Sequence, residues 1–170
     1  DIALYDSKTR QLSVIATSSN RALIGGPLWS PQRELLAFVQ DEGVVTYSPS
    51  TKELQVFNLI PPDPQSGADS EVELILSGWS YNSDWLAYQY RYDTLPGESY
   101  LLNLKTGESQ VPGFTETLWI EWSDTTSQIA SFDDQFVYVS TIANPAEVTQ
   151  FQKEGQQPNR IAWHADGTAL

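Results

Sequence analysis

The side chains that could act on a ligand or partner fall into three small acidic groups and one aromatic run. The acidic groups are Asp41-Glu42, Asp93 with Glu98, and Asp133-Asp134; the run places Tyr88, Tyr90 and Tyr92 on alternate positions around Arg91. Carboxylates so placed attract cations, and Tyr and Arg are enriched where proteins bind one another. The only histidine is His164 and cysteine is absent, so the chain holds no zinc constellation and no Cys–His or Ser–His pair of its own. His164 reads as a structural or surface residue. A Gly-x-Ser-x-Gly elbow, a Walker-type loop, a dinucleotide fingerprint and an Asp-x-Asp-x-Asp-Gly calcium loop are all missing. Gly25-Gly26 reads as close backbone packing. The expectation from these residues is binding without catalysis, cofactor or metal.

Composition narrows the partner. The chain has 170 residues, 40% of them hydrophobic and 12% aromatic, which is enough to bury a core in one globular domain. Six Trp and eight Tyr favour strands over helices. No run of apolar residues is long enough to span a membrane, so no membrane insertion is expected. No signal peptide is visible; the chain opens on Asp1 and lacks Met, as a mature or excised segment would. A formal charge of −13 and a pI near 4.2 argue against nucleic acid and against anionic membrane surfaces. A basic protein or peptide partner remains, or plain solubility.

The elements that must position these groups are announced by an internal repeat. Trp29-Ser30-Pro31 to Leu36-Ala37-Phe38 returns as Trp79-Ser80 to Leu86-Ala87-Tyr88, as Trp122-Ser123 to Ile129-Ala130-Ser131, and as Trp163-His164-Ala165-Asp166-Gly167 to Leu170. The intervals between the tryptophans are 50, 43 and 41 residues. An apolar residue stands seven positions after each Trp, and Ala follows it in the first three copies. Between copies lie strand-turn-strand patterns such as Val44–Tyr47 to Glu53–Phe57 and Tyr100–Asn103 to Glu108–Val111. A third, Val137–Ser140 to Val148–Phe151, reads as having its turn lengthened by Asn144-Pro145-Ala146. Each unit therefore has four strands, the pattern of a β-propeller blade, with the Trp packing between neighbouring blades.

The Trp-Ser-Pro-x-x-x-x-Leu-Ala-Phe pattern, Trp163-His164-Ala165-Asp166-Gly167, and the Thr106-Gly107-Glu108 hairpin together resemble the TolB-type β-propeller repeat, a relative of WD40-like and Kelch blades. The resemblance implies an all-β propeller of four-stranded antiparallel blades over nearly the whole chain. Pro31 gives way to Tyr81, Asp124 and Ala165, and the Asp-Gly of the turn survives only at Asp166-Gly167, which blurs the blade boundaries. The expected organisation of residues 1–170 is a half-blade at 1–16, blades at about 22–57, 71–111 and 117–151, and a half-blade at 158–170. Two readings of the ends stand: a fragment of a larger propeller, or two half-blades joining into a four-bladed ring.

Propellers of the family serve as periplasmic docking platforms, as gating domains of prolyl-oligopeptidase-like or tricorn-like peptidases, and as sugar-lyase scaffolds. The resemblance implies an extracytoplasmic setting. In a propeller, the loops between second and third strands open on the same face as the interblade connections. The expected site is therefore Asp41, Glu42, Tyr90, Arg91, Tyr92, Asp93, Asp133 and Asp134, with Phe114 from a connection. Acidic loops would steer a cationic partner, and Tyr90, Tyr92 and Phe114 would offer apolar contact. The opposing reading is that Asp and Glu simply favour hairpin turns. Trp85 and Trp119 lie outside the repeated position and read as packing residues, with sugar stacking as the other use.

Overall fold

The computed structural model describes residues 1–17, 26–41, 43–61, 72–92, 98–114, 120–133, 135–152 and 161–167. A hairpin of β1 (Ile2–Asp6) and β2 (Gln11–Ala16) comes first. Three antiparallel four-stranded sheets follow, each laid down in chain order. The first is β3 (Leu28–Trp29), β4 (Leu36–Gln40), β5 (Gly43–Ser48) and β6 (Glu53–Asn58). The second is β7 (Val72–Trp79), β8 (Trp85–Tyr92), β9 (Ser99–Asn103) and β10 (Ser109–Gln110). The third is β11 (Glu121–Trp122), β12 (Gln128–Phe132), β13 (Phe136–Thr141) and β14 (Asn144–Gln152).

The repeat explains how the sheets stack. Adjacent residues of a strand point to opposite faces, so the residue seven after Trp and the Ala after it serve different seams. Leu36 packs with Ile2, Phe38 and Val45 against the β1–β2 hairpin, whereas Ala37 belongs to the core shared with the second sheet. Leu86 faces back into that core, and Ala87 faces forward into the one shared with the third sheet. Ile129 and Ala130 divide in the same way. In the three sheets the Trp pairs directly across from the residue seven on, Trp29↔Leu36, Trp79↔Leu86 and Trp122↔Ile129, and so shares its face. The small Ala leaves room at each seam for the bulky Trp of the next copy: Trp79 with Ala37, Trp122 with Ala87, Trp163 beside Ala130.

The turns after Trp are built by the Ser that follows it. Ser30, Ser80 and Ser123 are almost wholly buried, and their hydroxyls accept backbone N–H groups of their own turns: Leu35 at 3.1 Å, Trp85 at 2.9 Å and Thr126 at 3.1 Å. His164 takes this role in the fourth copy, its Nδ1 lying 3.5 Å from the Asp166 amide and 2.9 Å from the Asp166 carboxylate. Four residues after Trp the backbone turns left-handed, with φ of 59° at Arg33, 60° at Ser83 and 72° at Gly167. The third copy has Thr126 there, whose β-branch resists that conformation, and no positive φ is found at it. The outer hairpins share a second such position, Arg10, Lys52 and Gly107, at φ of 57°, 62° and 76°.

One expectation is corrected. Asn144-Pro145-Ala146 does not lengthen the third hairpin turn; these residues open β14, and Thr141 pairs with Asn144 across a short turn. The surplus length is absorbed as a register shift after Val139, where the Ser140 hydroxyl donates to the carbonyls of Asn144 at 3.2 Å and Pro145 at 3.1 Å. An edge strand tolerates the missing N–H of Pro145. Of the C-terminal half-blade, residues 161–167 supply the Trp163 turn without an assigned strand, and 168–170 lie outside the described residues.

Candidate binding face

The ladder fixes which ends of the strands lie together. In the first sheet Gln40 pairs with Gly43 and Gly43 with Asn58, so the β4–β5 turn and the end of β6 share one edge of the sheet. The corresponding edge of the second sheet carries the end of β8, where Tyr92 pairs with Val72; that of the third carries Phe132 paired with Val137. The three acidic loops and the connections between sheets therefore issue from the same ends.

At these ends the expected site residues separate into those consumed by the fold and those left on the surface. Tyr90 is 3% exposed, its ring 5.7 Å edge-on from both Tyr88 and Tyr100. Phe114 is likewise 3% exposed and packs against Ile120, Trp122 and Ile142, 6.2 Å from the Tyr138 ring. Neither ring offers a surface contact: strand alternation sends Tyr90 into the seam between the first two sheets, and Phe114 seals the connection into the third. Arg91 forms an ion pair with Glu73, its cross-strand partner. Tyr88, burial pushing its phenol above the ordinary value, donates to the Ser109 hydroxyl at 3.0 Å. Trp85 is half-buried and packs against the core of the second seam.

Asp133 is a turn-builder. Its carboxylate accepts the backbone N–H groups of Gln135 at 2.7 Å and Phe136 at 2.8 Å, and also the Tyr138 hydroxyl. That hydrogen bond to a carboxylate, followed by burial and the negative charge itself, pushes the Tyr138 phenol up to about 12. Glu98 accepts the Tyr100 hydroxyl at 2.5 Å. Asp133 thus builds its own turn, and Glu98 is engaged by a neighbouring tyrosine.

Asp41 differs. Gln40 and Gly43 pair directly, so Asp41 stands in a two-residue connection and takes a left-handed φ of 53°, which Asp tolerates better than most residues. Its side chain is exposed and borders a cavity of about 450 Å³ lined also by Gln40, Gly43, Val45, Val56, Asn58 and Leu59. Among the described residues, the Asp41, Gln40 and Asn58 side chains make no hydrogen bond or ion pair. Val45 and Leu59 are the cavity's buried apolar lining, at 2% and 9% exposure, and Val56 is exposed at 58%. A side chain on Gly43 would meet the Phe57 carbonyl oxygen at 2.8 Å, so only glycine lets β5 approach β6 there. Glu42, Asp93 and Asp134 lie outside the described residues, as does Trp119, and Tyr92 is described only through its strand pairing with Val72. Gln40, Asn58 and the three apolar residues of the cavity escaped sequence reading, because they belong to separate strands and meet only through the ladder. Among the described residues no three His, Asp or Glu side chains converge as a metal site would require.

No known family profile matches the chain, and no curated protein matches it. Solved structures do. Dipeptidyl peptidase 4 of Porphyromonas gingivalis is similar over 89% of this chain and 29% of its own, at 12% identity and a TM-score of 0.64. A dihydro-heme d1 dehydrogenase is similar over 88% of this chain and 32% of its own, at 18% identity and a TM-score of 0.55. A chain of the mitotic checkpoint complex is similar over 85% of this chain and 41% of its own, at 11% identity and a TM-score of 0.55. The chain thus spans less than half the length of each. At these identities the likeness establishes fold: the stacked sheets are β-propeller blades, and a segment of a larger propeller is consistent with them.

Proposed function

We propose that this chain is a non-catalytic binding platform, a propeller segment of TolB-like type that works outside the cytoplasm and recruits a basic protein segment on its loop face. The observation that carries this reading is Asp41: an exposed carboxylate at a left-handed turn position, making no hydrogen bond or ion pair among the described residues, beside a cavity. Asp133, Glu98 and Arg91 are by contrast occupied in the fold. The formal charge of −13 supports a cationic partner, since a field of one sign raises the encounter rate with the opposite sign. The TolB-like and extracytoplasmic parts rest on the repeated Trp-Ser turns and the Thr106-Gly107-Glu108 hairpin.

The test is capture of partners on the immobilised chain at low salt, followed by elution with rising salt. A basic protein released as salt screens the interaction is the expected outcome. Recovery of nothing, together with a reading frame that continues into an α/β-hydrolase pattern with Gly-x-Ser-x-Gly, would replace this reading with that of a gating domain.

A further inference from the structure

We propose that the cavity beside Asp41 is a lysine pocket: it takes the side chain of a lysine presented on an extended peptide. The inference deepens the platform reading and rests on it for the nature of the partner. An ammonium group has three N–H donors and needs three acceptors when it leaves water. The rim supplies the Asp41 carboxylate and the amide oxygens of Gln40 and Asn58, and among the described residues none of these side chains is held by another protein group. Among the described residues no Lys, Arg or His lines the cavity. Below the rim, Val45, Val56 and Leu59 offer apolar surface to the four-carbon stem, the division of labour by which lysine buries its stem and keeps its charge at a polar edge.

The pocket is also built to keep its shape. Its floor is the β5–β6 pairing, made close by Gly43, and Val45 belongs to the core that packs Ile2 of the N-terminal hairpin against Leu36 and Phe38. Its carboxylate stands next to Gln40, which pairs directly with Gly43. A guest would lose its own freedom without requiring the site to lose much, which favours specific binding.

The experiment is a titration of the chain with acetyl-Gly-Lys-Gly-amide by calorimetry and by amide chemical shifts. Parallel titrations use the norleucine peptide, the Nε-acetyl-lysine peptide and butylammonium. The lysine peptide is expected to bind, to shift the amides of Gln40, Gly43 and Asn58, and to bind more tightly than butylammonium. The norleucine and acetyl-lysine peptides are expected to fail. Asp41→Asn keeps a residue tolerant of the left-handed turn and should weaken binding about tenfold or more. Val56→Trp, at the exposed edge, should fill the cavity and abolish binding. Glu53→Gln removes an equal charge at the opposite end of β6 and should change nothing. The proposal is overturned by equal binding of the norleucine peptide, by unchanged binding in Asp41→Asn, or by equal losses in Asp41→Asn and Glu53→Gln. Binding of butylammonium without the lysine peptide overturns it as well, in favour of a small amine. A captured partner that binds Asp41→Asn as well as the parent chain would sink the lysine pocket and leave the platform standing. Lysine-peptide binding that is lost in Asp41→Asn would uphold the pocket even if no partner protein were captured.

Discussion

The seam between the first and second sheets and the seam between the second and third are built from the same repeat, yet they close differently. In the first, the Trp79 indole N–H donates to the Leu28 carbonyl at 3.1 Å, and in the last the Trp163 indole does the same to Glu121 at 3.2 Å. Each acceptor is the residue just before the preceding Trp. The equivalent acceptor for Trp122 is Gly78, but the Trp122 indole nitrogen is buried with no hydrogen-bond partner among the described residues. There the ring lies over the glycine: a Cβ at position 78 would come within 3.0 Å of the Trp122 Cδ1. A register shift in β7 between Leu76 and Gly78 marks the same spot. One seam is closed by a hydrogen bond and the other by close contact of a ring on bare backbone. Closure at both seams fixes the strand ends from which the acidic loops issue, because a loop is no better placed than the sheet beneath it.

The largest expected effects test what the two seams share. Trp79→Ala and Trp122→Ala each remove a buried ring and should cost about 3–5 kcal/mol in urea unfolding. Similar losses would confirm that packing dominates both seams. Next, Ala37→Leu and Ala87→Leu push a larger side chain into the space that the following Trp occupies, and each should cost about 1–3 kcal/mol. Full tolerance of either would show that Ala is not there to admit the ring.

Smaller effects separate the seams. Trp79→Phe abandons the bond to Leu28 and should cost about 1 kcal/mol more than Trp122→Phe, where the lost N–H had no partner. Equal costs would mean that the hydrogen bond adds nothing to its seam. The smallest effect is alkaline. The Tyr138 phenol is raised to about 12 in the folded chain, above its ordinary 10.0, because its proton is held by Asp133. The folded state therefore keeps that proton where the unfolded chain loses it. The contribution to stability is complete below pH 10 and lost as pH rises toward 12. Tyr138→Phe should remove that decline from the pH profile; an unchanged profile would deny the coupling.

The comparison of acidic loops shows where sequence reading stops. Asp41 and Asp133 look alike in the chain, each following a buried strand and heading a short turn. Asp133 is consumed because its own turn presents the N–H groups of Gln135 and Phe136 and because Tyr138, five residues on, reaches back to it, whereas the residue five after Asp41 is Thr46, which is buried. Tyr90 is buried, against the sequence expectation, for a related reason. Alternation along β8 puts Tyr88 and Tyr90 on one face, but only the neighbouring sheet decides whether that face is covered.

What the sequence determined by itself was the repeat and all that is local to it: the four-stranded unit, the Trp-Ser turn, and the division between the apolar residue and the Ala after it. These follow from strand periodicity and turn chemistry, which act over a few residues. Only the tertiary structure decided that Asp133 would be engaged while Asp41 stayed exposed, that a glycine would lie beneath Trp122, and that Gln40, Val45, Val56 and Asn58 would enclose a space with Asp41. Such features depend on register between strands and on the stacking of sheets, where the meeting groups are brought together by pairings that no single stretch of chain specifies.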